Sequence, residues 1–242
     1  MGKEKELGID HIYVVHAPVG YEKHEKHLFK ELKQKYGFDY EFLDGDSDEK
    51  IIEYFVPNIE NMMTKGNIMC TLNHIRFYEK MIQNEDKYAL IFEDDPYFIG
   101  NFIEKIKPVI NEAKNLDESF FISLENSTLK FPSCKVLKKG KYLYENNYGR
   151  CACAYMIDRK AAENMLDSLK IQKCNKPIDH WHNDLVKYGY IKIYWAHPAF
   201  VEQGSLNGKL SSTKSTRTQG LMRKIKWQAQ KFYKTQIYRR FK

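Results

Sequence analysis

The sequence predicts an α/β domain, and three observations carry that expectation. Strand-like and helical segments alternate from residue 9 onward, with short connections between them. One strand-like run, Tyr88-Ala-Leu-Ile-Phe-Glu93-Asp94-Asp95-Pro96, is short and apolar and stops in three consecutive carboxylates before a proline. At 242 residues and 43% hydrophobic, the chain is long and apolar enough to bury one large core.

The elements follow in order. Residues 9–15, Ile-Asp-His-Ile-Tyr-Val-Val, read as a first strand, 21–36 as a charged helix ending before Gly37, and 38–43 as a second strand running into the turn-rich Asp44-Gly-Asp-Ser-Asp48. From 66 to 84 the pattern is helical, with Ile68, Leu72, Ile75 and Ile82 near a 3.6-residue period and Tyr78 on the same side. The acid-ended strand comes next. A helix over 101–115, bent or broken at Pro108, precedes a strand over 119–124. Residues 126–147 read as irregular. Residues 151–157 form a further strand, with Asp158 placed to cap a helix through Leu169 because a short carboxylate accepts from first-turn amides. A helix over 177–188 and a strand over 190–195 complete the alternation. The Ser, Thr, Gly and Lys of 204–220 read as a loop, giving a body of 1–204, a linker of 205–220 and a tail of 221–242.

Composition excludes several classes. No apolar run reaches the roughly 18 residues of a membrane-spanning helix. The start, Met-Gly-Lys-Glu-Lys-Glu, lacks the apolar stretch of a secretory signal. Five cysteines, odd in number and without paired CxxC units, argue for reduced thiols in a cytoplasmic protein rather than for a disulfide frame or structural zinc. The net charge of +7 is an average of two unlike parts. Glu202 is the last acid; beyond it lie eleven lysines and arginines, so the preceding body carries −4 and the remainder +11. In the tail, Met222, Ile225, Ala229 and Phe232 recur at helical spacing, joined by Trp227, Tyr233, Tyr238 and Phe241. A basic helix with aromatics suits adsorption to an anionic membrane surface, here the inner face of the cell membrane. The alternative is a helix packed on the body with a solvated basic face. Nucleic acid is not the expected partner, since a basic patch is only an electrostatic footprint.

Clustered acids at a strand exit need a positive partner, and a divalent cation holding a phosphate is the usual one. Pro96 cannot donate to a sheet ladder, so the acids belong at the strand's end, where open α/β sheets bind ligands. Side chains alternate along an extended segment, which puts Glu93 and Asp95 on one side as metal ligands and leaves Asp94 for a ribose or a backbone amide. The segment Ile178-Asp179-His180-Trp181-His182-Asn183-Asp184 mixes acids, imidazoles and an indole. Asp179 and Asp184 are candidate general bases, Asp179 being alternatively a helix cap, with Glu125 a third possibility. His197 is a candidate third metal ligand or a packing residue beside Trp195.

These residues resemble a known family. Gly66-Asn-Ile-Met-Cys70-Thr-Leu-Asn-His74-Ile-Arg-Phe-Tyr, followed by Ala89-Leu-Ile-Phe-Glu93-Asp94-Asp95, is similar to the motifs of glycosyltransferase family 25, the bacterial lipooligosaccharide galactosyltransferase group. Ala154-Tyr155-Met-Ile-Asp-Arg-Lys-Ala161-Ala162, Lys176-Pro177-Ile178-Asp179 and 198–203 resemble later segments of that family, in its order. The chain departs from the pattern with Asn73-His74 for Ser-His, Met69-Cys70 for Gly-Cys, and no arginine before Arg76. The resemblance implies a GT-A-like single-domain nucleotide-sugar-binding fold with a mixed, mostly parallel central sheet and a basic helical tail. It implies an inverting, β-1,4-galactosyltransferase-like transfer of a hexose, galactose from UDP-galactose, to a lipooligosaccharide or other glycan, with Mn²⁺ or Mg²⁺. UDP-glucose and UDP-N-acetylhexosamine are the alternative donors. His74, Asn73 and Asp94 then line the donor pocket, although His74 is equally suited to a hydrogen-bonded place in the core. A phosphoryl or nucleotidyl transferase would carry a Gly-rich phosphate loop, which is absent. A non-catalytic glycan-binding or scaffold protein would have no use for an acid cluster that is costly without an ion.

Overall fold

The elements run in the order α1 (Lys3–Glu6), β1 (His11–Val15), α2 (Glu22–Leu28), β2 (Glu41–Phe42), α3 (Asp48–Tyr54), α4 (Lys65–Gln83), β3 (Tyr88–Glu93), β4 (Pro96–Phe98), α5 (Phe102–Ala113) and β5 (Phe120–Ser123). They continue with β6 (Leu143–Asn146), β7 (Ala154–Asp158), α6 (Arg159–Ile171), α7 (Ile178–Lys187), β8 (Lys192–Ala196), β9 (Val201–Gln203), α8 (Gly204–Asn207), α9 (Leu221–Phe232) and α10 (Arg239–Phe241). Helix α2 runs on as a π-helical turn over Phe29–Gln34, and a second such turn, Tyr233–Tyr238, joins α9 to α10. The computed structural model describes residues 2–16, 22–43, 48–116, 119–210 and 221–241.

Seven strands form one sheet in the order β2-β1-β3-β7-β5-β8-β6, with β4 and β9 in a small separate ladder. The pairs β1–β2, β1–β3 and β5–β8 are parallel, while β3–β7, β5–β7 and β6–β8 are antiparallel. Five strands therefore share one direction and β6 and β7 oppose them, so the sheet is mixed and mostly parallel, as expected.

Period-two alternation assigns each strand residue to one of two cores. Tyr13, Ala89, Ile91, Phe121, Tyr155, Ile157, Ile193 and Trp195 face α3, α4, α6 and α7. Ile12, Val14, Leu90, Phe92, Ile122, Met156 and Tyr194 face α2, its π-helical turn and α5. The result is a three-layer α/β/α body. In α4, Ile68, Leu72, Ile75 and Tyr78 are buried as their spacing predicts, and Thr64 caps the helix by accepting from Asn67 N. Asp158 caps α6 by accepting from Ala161 N at 3.0 Å.

The structure departs from the sequence reading in several places. Helix α5 passes through Pro108 unbroken. Burial of Phe102, Ile106, Val109, Ile110 and Ala113 against the sheet offsets the lost backbone bond. Residues 143–146, read as irregular, form the edge strand β6, which β8 pairs across four residues. Its mixed sequence gives no alternation, so the partner strand decides. The proline after the acids opens β4, where Pro96 opposes Gln203 of β9. The proposed linker does not begin at 205. Gly204–Asn207 is helical with Ser205 and Asn207 buried, and the amides of Lys209 and Leu210 return to the Gly204 carbonyl. The rest of that stretch, 211–220, and the turn at 44–47 lie outside the described residues.

Candidate active site

Strand β3 delivers the three acids, and its alternation sorts them. Glu93 continues the face of Ala89 and Ile91 and emerges beside α4. Its Oε1 lies 3.5 Å from Cys70 Sγ and 3.9 Å from His74 Nε2, and Gln203 Nε2 donates to Oε2 at 2.9 Å. Asp95 returns to the same side. Its Oδ2 accepts from Ser205 N at 2.8 Å, and its Oδ1 lies 3.7 Å from Cys153 Sγ. One donor atom each from Glu93, Asp95 and Cys153 falls within 4.8 Å of the others, and so does one each from Cys70, His74 and Glu93. Glu93 belongs to both groups.

Electrostatics differ between the neighbouring acids. Burial, reinforced by the charges of Glu93 and Asp94, pushes the Asp95 carboxyl up to about 6. Burial drives the Cys153 thiol well above its ordinary value, so it stays protonated. Asp94 projects to the opposite face of the strand. Burial acts against its charge, but His16 and His24, each with Nδ1 at 2.9 Å from one carboxylate oxygen, outweigh that and hold the group below the usual range. Both Asp94 oxygens are thus engaged by imidazoles inside the protein. The expectation that Asp94 faces a ribose or a backbone amide is corrected here.

A cleft of about 360 Å³ opens over Glu93. Asn67, Cys70 and Thr71 of α4 form one wall, Pro177, Ile178, Asp179 and His180 another, and Gln203, Ser205 and Leu206 the rim. Asp179 stands in the first turn of α7, where exposed amide N–H groups favour an anion. Its Oδ1 accepts from His180 N, and Pro177 rather than Asp179 occupies the cap position, so the capping alternative does not hold. Asp184, five residues along the same helix, pairs with Lys176 and lines a different cavity with Trp181 and Tyr188.

His74 is wholly buried, its Nδ1 sharing a 2.6 Å hydrogen bond with the Tyr155 hydroxyl. Tyr155 continues through Tyr78 (2.8 Å) to His182 Nε2 (2.7 Å). The ring stands behind Glu93 and is not among the residues lining the cleft; neither is Asn73, half-buried on α4. His197 is not in the carboxylate cluster. Its Nε2 accepts from Arg239 at 3.1 Å and its ring meets Tyr144 edge-on. Burial, then the charges of Arg239 and Arg150, lowers its pKa to about 4. Glu125 is fully buried, accepting from Cys153 N at 2.7 Å and from the Ser127 hydroxyl, so it braces the loop after β6 and faces no acceptor.

Sequence reasoning did not single out His16, His24, Cys153, His180 or Ser205. The adjacent motif Cys151-Ala-Cys153 is a usable signal for one of them; His16 and His24 carry none, because their pairing with Asp94 spans 70 residues or more.

With this geometry established, comparison with known proteins is specific. A glycosyltransferase 25 family member of Drosophila pseudoobscura pseudoobscura is 27% identical over 194 residues, covering 74% of this chain and 30% of that protein. The lipooligosaccharide biosynthesis protein lic2B of Haemophilus influenzae is 29% identical over 170 residues, covering 63% and 61%. Procollagen galactosyltransferase 2 of Homo sapiens is 25% identical over 136 residues, covering 55% and 21%. The chain therefore spans less than a third of the insect relative and under two thirds of the Haemophilus protein. The family profile described as glycosyltransferase family 25 (LPS biosynthesis protein) matches residues 21–182, a span that holds the acid-ended strand and Asp179. The chain belongs to glycosyltransferase family 25.

Proposed function

We propose that this protein transfers a hexose, galactose from UDP-galactose, to a hydroxyl of a lipid-borne surface glycan, on a GT-A-like scaffold and with inversion at the anomeric carbon. The observation that supports the reading is a cleft lined by both Glu93 and Asp179, with Asp95 close to Glu93. The names of two relatives, a lipooligosaccharide biosynthesis protein and a procollagen galactosyltransferase, agree with the donor and acceptor classes.

The donor set fits a hard divalent cation. Two carboxylates converge, and oxygen ligands of this kind suit a hard divalent cation. Glu93 and Asp95 would hold Mn²⁺ or Mg²⁺, which when bound offsets the charge gathering on a departing diphosphate. Gln203 keeps Glu93 in place, and Ser205 N does the same for Asp95. Asp179 takes the proton of the attacking acceptor hydroxyl as the new C–O bond forms. The bond from the anomeric carbon to phosphate breaks, its electron pair leaving with UDP.

The acceptor meets the enzyme at an anionic membrane surface. Helix α9 turns Leu221, Met222, Ile225 and Phe232 outward, and no acid lies beyond Glu202. None of the described helices is long and apolar enough to cross a membrane. The test is a panel of UDP-sugars with Mn²⁺, read as release of UDP with and without glycan acceptor. Turnover with UDP-galactose supports the reading; preference for UDP-glucose or UDP-N-acetylhexosamine revises the donor, and no turnover with any of them rejects the activity.

A further inference from the structure

The C-terminal segment does more than cover the body. Trp227 packs on Leu129, Phe131 and Leu206, the last of which also lines the cleft, and Lys231 pairs with Glu202. Farther along, the π-helical turn and α10 close over residues 128–131 and enclose a second cavity of about 190 Å³. That volume is the share of roughly six waters at about 30 Å³ each. Its walls include Lys130, Lys234 and Arg239, with Tyr148, Tyr238 and Phe131, and no carboxylate lines it.

Three cations in so small a space repel one another unless an anion joins them. Among the described residues none of the three makes an ion pair. Lys130 Nζ stands 4.3 Å over the Tyr148 ring and Lys234 Nζ 4.1 Å over the Tyr238 ring. Arg239 donates to His197 Nε2 and to Cys134 Sγ, and neither partner is a carboxylate. Contacts with ring faces hold the ammonium groups in place without neutralising them. The same π-helical turn and α10 that supply Lys234 and Arg239 also carry Tyr233, Ile237 and Phe241, which recur every four residues and are exposed.

We infer that this cavity binds the phosphomonoester headgroup of a membrane lipid, with the three cations on the phosphate and the exposed side chains in the lipid. A phosphomonoester carries about −1.5 to −2 at neutral pH and several strong acceptor oxygens, which suits three cationic residues lining one cavity better than a single carboxylate does. The exposed apolar residues of the same segment favour a lipid-borne phosphate over a free one. The inference rests on the acceptor being presented at a membrane surface. It adds a specific headgroup site to the general attraction of a basic tail.

The test uses the full chain and two charge-matched triple variants. One removes the cavity's cations (Lys130→Ala, Lys234→Ala, Arg239→Gln), the other three exposed cations of the same tail (Lys224→Ala, Lys226→Ala, Arg240→Ala). Binding is measured to phosphatidylcholine vesicles containing phosphatidic acid or, at equal surface charge, oleate. General attraction falls equally in both variants, so the difference between them is the readout. The cavity variant should lose about tenfold more affinity than its control for phosphatidic acid vesicles, and the wild type should prefer those vesicles to oleate. Equal losses, or equal binding to both vesicles, overturn the inference. Cavity-dependent binding of soluble glycerol phosphate without a vesicle preference reassigns the site to a free phosphate ester and overturns the lipid assignment. If the triple variant fails to fold, Lys130→Ala and Lys234→Ala read separately give the same comparison. No turnover is measured, so this result and that of the UDP-sugar panel fail independently.

Discussion

The backbone N–H of Gly204 donates to the carbonyl oxygen of Asp95 across 2.7 Å, joining the end of the acid-bearing segment to the first residue of α8. The next residue, Ser205, donates its own N–H to the Asp95 side chain. A Cβ at position 204 would sit 2.8 Å from the Tyr97 ring and 3.0 Å from the Asp95 carbonyl oxygen. Gly204→Ala should therefore cost about 1–3 kcal/mol, by overpacking, and displace Asp95. The measurements are thermal unfolding and UDP-sugar turnover. Full activity with wild-type stability would show that the approach is not needed.

Removal of the carboxylates separates binding from fold. Asp95→Asn should reduce turnover by roughly 100-fold or more, since an interaction worth several kcal/mol is lost. In the wild type, Mn²⁺ with UDP-galactose at a hundred times its dissociation constant should stabilise by about 2.7 kcal/mol, roughly 5–10 °C. EDTA should abolish that shift, and Asp95→Asn should not show it. An EDTA-resistant shift in the variant would remove Asp95 from the metal assignment.

The two aspartates of α7 give opposite expectations. Asp179→Asn should lower kcat by about 100- to 10,000-fold with little change in donor KM, the usual range for a lost general base. Asp184→Asn breaks only a partly exposed pair with Lys176 and should leave kcat within about twofold, stability changing by under ~1 kcal/mol. A reversed pattern would move the base to Asp184.

Trp227→Ala tests how the tail is held. Its indole is buried in a small cluster separate from the two cores, so truncation should free 221–241 without unfolding the body. Limited proteolysis should cut the variant within the tail while the cooperative transition of the body stays near its wild-type temperature. Equal protease resistance would mean that the remaining contacts suffice.

His197 makes stability depend on pH with a defined sign. Its pKa falls from 6.5 to about 4 on folding, through burial and then through Arg239 and Arg150. The unfolded chain thus binds more protons between those limits. The contribution of the neutral imidazole is present above pH 6.5 and is lost as pH falls toward 4. His197→Gln should flatten the acid limb of the melting-temperature profile across that window, and an unchanged slope would contradict the assignment.

Much of this protein is legible in its residues. The short continuous apolar run of 88–93 and the 3.6-residue pattern of 66–84 specify a buried strand and its covering helix, because the strand is packed on both faces and the helix on one. The alternation past Phe92 likewise puts Glu93 and Asp95 on one side of the chain. Local patterning could not show what lies opposite those acids. The imidazoles that claim Asp94, the backbone clamp of Gly204 and Ser205 on Asp95, and the removal of His197 to the tail contact with Arg239 all depend on chain segments far apart in sequence. Side-chain direction is set by neighbours along the chain, whereas the identity of a partner is set by sheet order and helix packing, which only the folded molecule decides.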